Sequence, residues 1–229
     1  MTNEPTALII GASRGLGAGL TRELATRGWT VLATQRKTSA ELAQLAGELG
    51  TVGIETVDID DRASVEALAN RLAGQKFDLL LVNAGVAGPS HNSADQATPE
   101  EVAALMMTNA VSPIRIARLL LPLVRDGGTV AFMSSLLGSV GGRNHAMAEL
   151  YSASKAALNS LTRSFAAKDV GQRPVGVVNL HPGWVRTDMG GDGADIDVAT
   201  SVAGMADVLE NKTGPGHRYI DYQGQDLTW

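Results

Sequence analysis

Short apolar runs alternate with helix-spaced segments along this whole chain, and no other feature restricts its fold as much. Ala7-Leu-Ile-Ile10 is apolar throughout and stops at Gly11, as a strand buried on both faces does. Leu20, Leu24 and Ala25 follow at helical spacing, and Gly28 ends that helix. Trp29–Thr34 reads as the second strand, and a helix over 40–49 comes next. A third strand is expected to end at Thr56-Val-Asp-Ile59, ahead of a helix marked by Val65, Leu68, Ala69 and Leu72. Phe77–Val82 is a fourth strand. Thr98-Pro99-Glu100-Glu101 then opens a helix with a cap, a first-turn proline and acids against the dipole. That helix is expected to reach Arg125, bent or split by Pro113 and Pro122. Gly127-Gly128 reads as a turn, Thr129–Met133 as the fifth strand, Pro174–Leu180 as the sixth, and His217–Ile220 as a last one after a helix near 198–209. This order predicts an α/β fold, a Rossmann-like, doubly wound parallel sheet of about seven strands with helices on both faces. Ligands of such sheets sit beyond the carboxyl ends of the strands, here the polar loops 11–17, 34–38, 58–61, 83–98, 134–148 and 181–193.

The 229 residues contain no repeat, linker or low-complexity tract, so one domain over 1–229 is expected. With no cysteine, disulfides, thiolate metal sites and thiol nucleophiles are excluded. The four histidines, His91, His145, His181 and His217, lie far apart, and no metal site is expected. A net charge of -5 speaks against a nucleic-acid partner. Neither a signal peptide nor a membrane span is evident, and a soluble cytoplasmic protein is the expectation.

Gly11-x3-Gly15-x-Gly17 opens a helix directly after the first buried strand. Glycines there let the chain turn tightly and let a pyrophosphate approach the amides at the helix start; a tight turn alone could also explain them. About twenty residues on, an NAD enzyme usually places an acid for the ribose hydroxyls. This chain has Thr34-Gln35-Arg36-Lys37 instead, and Arg14 lies inside the glycine loop. Two arginines near the ribose would pair with a 2′-phosphate, which favours NADP(H), with NAD(H) possible.

Tyr151 and Lys155 stand one turn apart on a segment free of Gly and Pro from Glu149 to Val170. A phenol titrates near ~10, and an ammonium beside it favours the phenolate. The pair could hand a proton to a carbonyl oxygen or take one from an alcohol. The competing reading is an amphipathic helix with a surface Tyr and Lys.

In order and rough spacing, the glycine loop, Asp58, Asn83-Ala-Gly85, Asn109, Ser134-Ser135, Tyr151-x3-Lys155 and Pro182-Gly183 resemble the short-chain dehydrogenase/reductase family from Leu8 to about Met189. His181-Pro-Gly-Trp-Val-Arg-Thr-Asp-Met-Gly-Gly191, a longer loop before Tyr151 and the run ending at Trp229 resemble its C-factor and sniffer-type carbonyl reductase branch. The resemblance implies a reversible reduction of a ketone or aldehyde, with Tyr151 as general acid, Lys155 on the nicotinamide ribose, Ser135 on the carbonyl oxygen and Asn109 holding a water. It implies cofactor contacts from Gly11, Ser13, Arg14, Gly15, Leu16, Gly17 and Arg36, and adenine contacts from Asp58 and Ile59. Asn83, Ala84 and Gly85 would flank the adenosine ribose, and Pro182, Gly183, Val185 and Thr187 the nicotinamide. It also implies a homodimer or homotetramer through the helices of Asn109 and Tyr151.

Ile10 and Val82 replace the threonine and asparagine common in the family, and Ser135 lies 16 positions before Tyr151, a longer gap than usual. The substrate loops are expected at 86–96, 136–150 and 184–196. Two other readings compete. One is a nucleotide-binding sensor or scaffold without turnover, which would not need Ser135, Tyr151 and Lys155 together. The other is a nucleotide-sugar epimerase, for whose substrate domain the chain has little room.

Overall fold

The structure is a computed structural model that describes residues 4–142, 147–211 and 213–229. Its sheet has seven strands in the order β3-β2-β1-β4-β5-β6-β7, and every pair is parallel. The strands are β1 Thr6–Ile10, β2 Thr30–Gln35, β3 Val52–Thr56, β4 Phe77–Val82, β5 Val124–Met133, β6 Gly176–His181 and β7 Gly216–Asp221. Alternation along the strands divides the core in two. Ala7 and Ile9 of β1 pack with α1 (Gly15–Thr26), α2 (Ala40–Leu49) and α7 (Val198–Asn211). Leu8 and Ile10 face α3 (Arg62–Arg71), α5 (Ser112–Leu120) and α6 (Glu149–Phe165). The doubly wound sheet is therefore present with the expected strand count.

Helix ends follow local chemistry. Ser39 accepts from Leu42 N at the start of α2. Asp61 caps α3 by accepting from Ala63 N. Thr98 and Glu101 form a reciprocal capping box at the start of α4 (Pro99–Met106).

Three boundaries differ from expectation. The third strand is Val52–Thr56, so Val57–Ile59 is loop at its carboxyl end. Gly127-Gly128 lies within β5, whose pairing with β4 slips between Phe77 and Leu79, and Gly127 takes a φ of 85°. The three extra residues that β5 carries there are absorbed as an irregularity of the ladder rather than as a turn. The long helix stops at Leu123, and its break comes earlier than its prolines suggest. A π turn over Met107–Val111 separates α4 from α5, and the Ser112 N–H reaches back to the Met107 carbonyl. Pro113 sits at the first turn of α5 and has no N–H to give the Asn109 carbonyl.

By length and composition alone, the 25 residues of Pro99–Leu123 would suffice to cross a membrane. More than half of that window is buried inside the protein, and Ile114, Ile116, Ala117 and Leu120 belong to the core shared with β4 and β5. Its apolar content is thus used against the sheet.

Candidate active site

All the carboxyl-end loops open onto one rim of the sheet. At β1 the chain turns at Gly11 (φ 90°), whose N–H donates to Thr34 Oγ1 at 3.0 Å. A Cβ on Gly11 would lie 2.8 Å from the Ala84 backbone, and one on Gly17 would lie 2.2 Å from the Gly11 carbonyl. Both glycines are required by close packing. Gly15 differs: its φ is 56°, and a Cβ there would meet only Thr187 Cγ2, at 3.9 Å. Its surface faces open space bounded across the cleft by Thr187. A groove of that kind fits a pyrophosphate laid on the start of α1. Leu16 tucks into the core beside α1, and Ser13 offers its carbonyl to Ser39 Oγ at 2.6 Å.

Asn83 ties the loop from below, its Nδ2 donating to the Gly11 carbonyl at 2.6 Å. Ala84 N donates to the Ile10 carbonyl. Asp58 accepts from Asp60 N at 3.0 Å, and Ile59 is buried beneath the same loop. Arg36 is exposed at the end of β2 and forms no ion pair or hydrogen bond among the described residues. Arg14 is engaged instead: Nη1 meets Asp188 at 2.6 Å, with the two side chains 74% and 80% exposed. The expected pair of arginines at the ribose is thus one free arginine and one held across the cleft mouth. An ion pair this exposed is worth at most about 1 kcal/mol, so a phosphate could compete for Arg14.

Val185 is buried and bridged to Ile196. Pro182 offers its carbonyl to Ser201 Oγ at 2.6 Å. Gly183 (φ 86°) cannot be larger, since a Cβ would lie 2.7 Å from Ile196 Cδ1. Thr187 accepts from Gly190 N at 3.1 Å.

At the end of β5, Ser134 turns inward and donates to Asn159 Oδ1 at 2.7 Å. Ser135 turns outward, caps a short 3-10 turn through Leu137 N at 3.2 Å, and its side chain stands near enough to the Tyr151 phenol to favour the phenolate. Lys155 Nζ lies 5.6 Å from the Tyr151 ring centroid and donates to the Met133 carbonyl at 2.9 Å. Ser135, Tyr151 and Lys155 are therefore brought together. Their titration differs from expectation: burial pushes Tyr151 up to about 12, the neighbouring Ser135 side chain pulling the other way, and burial pulls Lys155 down to about 8. The lysine is desolvated with the phenol, so its charge is costly before it can favour the phenolate.

Asn109 is fully buried. Its Oδ1 accepts from Val86 N and its Nδ2 donates to Val86 O, each at 2.8 Å, while Nδ2 also reaches Ser154 Oγ at 3.0 Å. The carboxamide thus holds the start of the 86–96 loop as a strand would. A Cβ on Gly85 would come within 3.2 Å of Asn109 Oδ1 and 3.5 Å of Lys155 Nζ.

The pattern that defines the short chain dehydrogenases matches residues 5–195. This chain belongs to the short-chain dehydrogenase family. It is 37% identical over 173 residues to C-signal of Myxococcus xanthus, covering 72% of this chain and all of that one. A carbonyl reductase from Pseudomonas aeruginosa PAO1 in complex with NADP superposes with a TM-score of 0.92 at 40% identity, over 99% of this chain and 100% of the other. Carbonyl reductase Sniffer of D. melanogaster gives 0.86 at 29% identity over the same shares. The likeness is thus to the C-factor and sniffer-type members.

Several residues that hold this dehydrogenase's site escaped the sequence reading. Thr34, fully buried, fixes the Gly11 amide. Asn92, at a φ of 49°, accepts from Tyr151 N at 3.0 Å and so caps α6 from a different loop. Ala94 N adds a bond to Glu149 at 2.8 Å. Asp60 accepts from Thr108 and Ser112 hydroxyls, both at 2.6 Å, bracing the π turn around Asn109. An asparagine or aspartate after a strand is a weak signal, because its partners lie dozens of residues away. Of the 136–150 loop, residues 143–146, including His145, lie outside the described residues.

Proposed function

We propose that this short-chain dehydrogenase reduces a ketone or aldehyde with NADPH and oxidises the secondary alcohol in reverse. The observation that carries the reading is the convergence of Tyr151, Ser135 and Lys155, with Lys155 Nζ 5.6 Å from the Tyr151 ring and the Ser135 side chain beside the phenol. When bound, the dinucleotide supplies or accepts the hydride. Tyr151 delivers the proton to the carbonyl oxygen, and its high pKa keeps it protonated at every neutral pH. Ser135 Oγ orients that oxygen as it gains charge. Lys155 has two further N–H donors beyond the one given to Met133; these hold the ribose hydroxyls. The Asn109 carbonyl, left by Pro113 without its helical donor, takes a water that refills the proton path. Arg36 takes the 2′-phosphate, a reading favoured by the NADP-bound reductase of the same fold.

Apolar side chains exposed at the mouth support a carbonyl compound with apolar substituents. Leu136, Met147, Trp184 and Met189 are exposed there, and Val140 is 79% exposed. Val111 and Leu119, exposed on the long helix, fit self-association through that helix, and a cytoplasmic setting fits the absence of cysteine.

The test is Tyr151→Phe in a carbonyl panel followed by NADPH consumption. Turnover should fall by about 10²–10⁴, with NADPH affinity by fluorescence titration nearly unchanged. Parent-level rates in the variant would refute the mechanism. NADPH binding without consumption, for every carbonyl tried, would favour the sensor.

A further inference from the structure

A second buried phenol touches this site, and the proposed reaction gives it no role. Tyr219 of β7 is 2% exposed, and its hydroxyl donates to the Ser135 carbonyl. Ser135 thus has its main chain held by the Tyr219 hydroxyl while its side chain stands near the Tyr151 phenol. Tyr219 is held in turn by residues 227–229. Leu227 N donates to the Tyr219 carbonyl at 2.8 Å, and the Trp229 ring lies 5.2 Å from that of Tyr219. Trp229 also packs 4.6 Å from His217, with the Arg163 guanidinium of α6 4.8 Å from its ring.

The same segment grips the loop that follows Ser135. Ser139 Oγ donates to the Thr228 carbonyl at 2.6 Å, and Gly141 N donates to the Trp229 carbonyl at 3.0 Å. Beneath lies a chain of buried amides: His217 Nε2 meets Asn179 Oδ1 at 3.0 Å, Asn179 Nδ2 donates to Asn159 Oδ1 at 2.7 Å, and Asn159 Nδ2 donates to the Gly138 carbonyl at 3.2 Å. The chain ends on the Gly138 carbonyl, within the segment 134–142.

We infer that Tyr219 is a positioning residue for Ser135, and that residues 227–229 form a clasp that sets the rigidity of the Ser135–Gly142 wall. The role in turnover rests on the proposed carbonyl reduction; the clasp does not. Burial of a tyrosine ring needs no hydroxyl, so a role confined to packing would be served equally by phenylalanine. The hydroxyl instead fixes the carbonyl of Ser135, the residue whose side chain stands near the Tyr151 phenol.

Two variants test this: Tyr219→Phe, which keeps the ring stack, and Trp229→Ala, with Trp229→Phe as the conservative restoration. Hydrogen exchange should quicken at least tenfold at amides 134–142 in the first two, leave β1 and β4 unchanged, and return to the parent pattern in Trp229→Phe. In turnover, kcat should fall at least tenfold while the KM for NADPH stays within twofold. Parent-like exchange at 134–142 in Tyr219→Phe overturns the proposal. So does a parallel loss of kcat, NADPH affinity and exchange protection throughout the sheet, which would mark Tyr219 as general packing. If the parent consumes no NADPH with any carbonyl, the reductase reading fails, and the exchange measurement still decides the clasp.

Discussion

Lys155 allows a measurement of how far the protein interior resists a charge at this site. Lys155 is 3% exposed, and among the described residues the acceptor of its ammonium is the Met133 carbonyl. Burial lowers its pKa from 10.5 to about 8. Between those values the unfolded chain binds a proton that the folded cofactor-free protein does not, so stability must rise with pH across that window. Below pH 8 the lysine is charged in both states and the folded state carries the whole desolvation cost. A pKa change of one corresponds to 1.36 kcal/mol, so the full effect is about 3 kcal/mol. Lys155→Met removes the titration and keeps most of the volume. It also leaves the Met133 carbonyl unpaired, a cost independent of pH. Urea unfolding of both proteins without cofactor, from pH 7 to 10.5, isolates the effect as a difference of differences. The advantage of Lys155→Met over the parent should shrink by about 3 kcal/mol on going from pH 7 to 10.5. A difference that stays flat with pH would refute the buried ammonium.

Asn109→Ala leaves Val86 N, Val86 O and Ser154 Oγ without their partner, which should cost about 2–4 kcal/mol. For a chain this long, that is a fall in Tm of about 5–15 °C by calorimetry; a change under 1 °C would mean the carboxamide does not hold the 86–96 loop. Arg36→Ala should weaken NADPH about 10–100-fold and NADH hardly at all, since one charge-assisted bond is worth about 1.5–3 kcal/mol; equal losses in a titration would remove the NADP assignment. With Tyr151 near 12, the phenolate needed for alcohol oxidation is scarce at pH 7. The oxidation kcat/KM should therefore climb at least tenfold by pH 9.5, while the reduction kcat/KM does not rise.

The parts of the fold that the sequence made legible are those with local causes. Phe77–Val82 is solidly apolar and is a strand over those residues. Ala40–Leu49 follows a capping serine and stops before a left-handed glycine. Val52–Thr56 was misplaced because its glycine and glutamate break the apolar run, while Val57 and Ile59, which resemble strand residues, are buried in the loop that follows. Ser134 turns inward onto Asn159 and Ser135 outward, a difference that two neighbouring serines in a sequence cannot show. The Arg14–Asp188 pair, the Asn92 cap on α6 and the Tyr219 contact join residues 174, 59 and 84 positions apart. No local pattern announces such partners. The shift of Tyr151 was missed for the same reason: spacing reports that an ammonium is near, whereas burial depends on the whole fold.

The break between α4 and α5 shows how a flaw in a helix can be worth keeping. A chain optimised only for helical strength would replace Pro113 with a residue that donates, closing the ladder over Asn109. That repair would give the Asn109 carbonyl a protein donor and, on the proposed mechanism, displace the water meant to supply protons to the lysine. A sturdier rod at this point would be a drier one, and selection for heat resistance would meet selection for proton supply at a single imino acid.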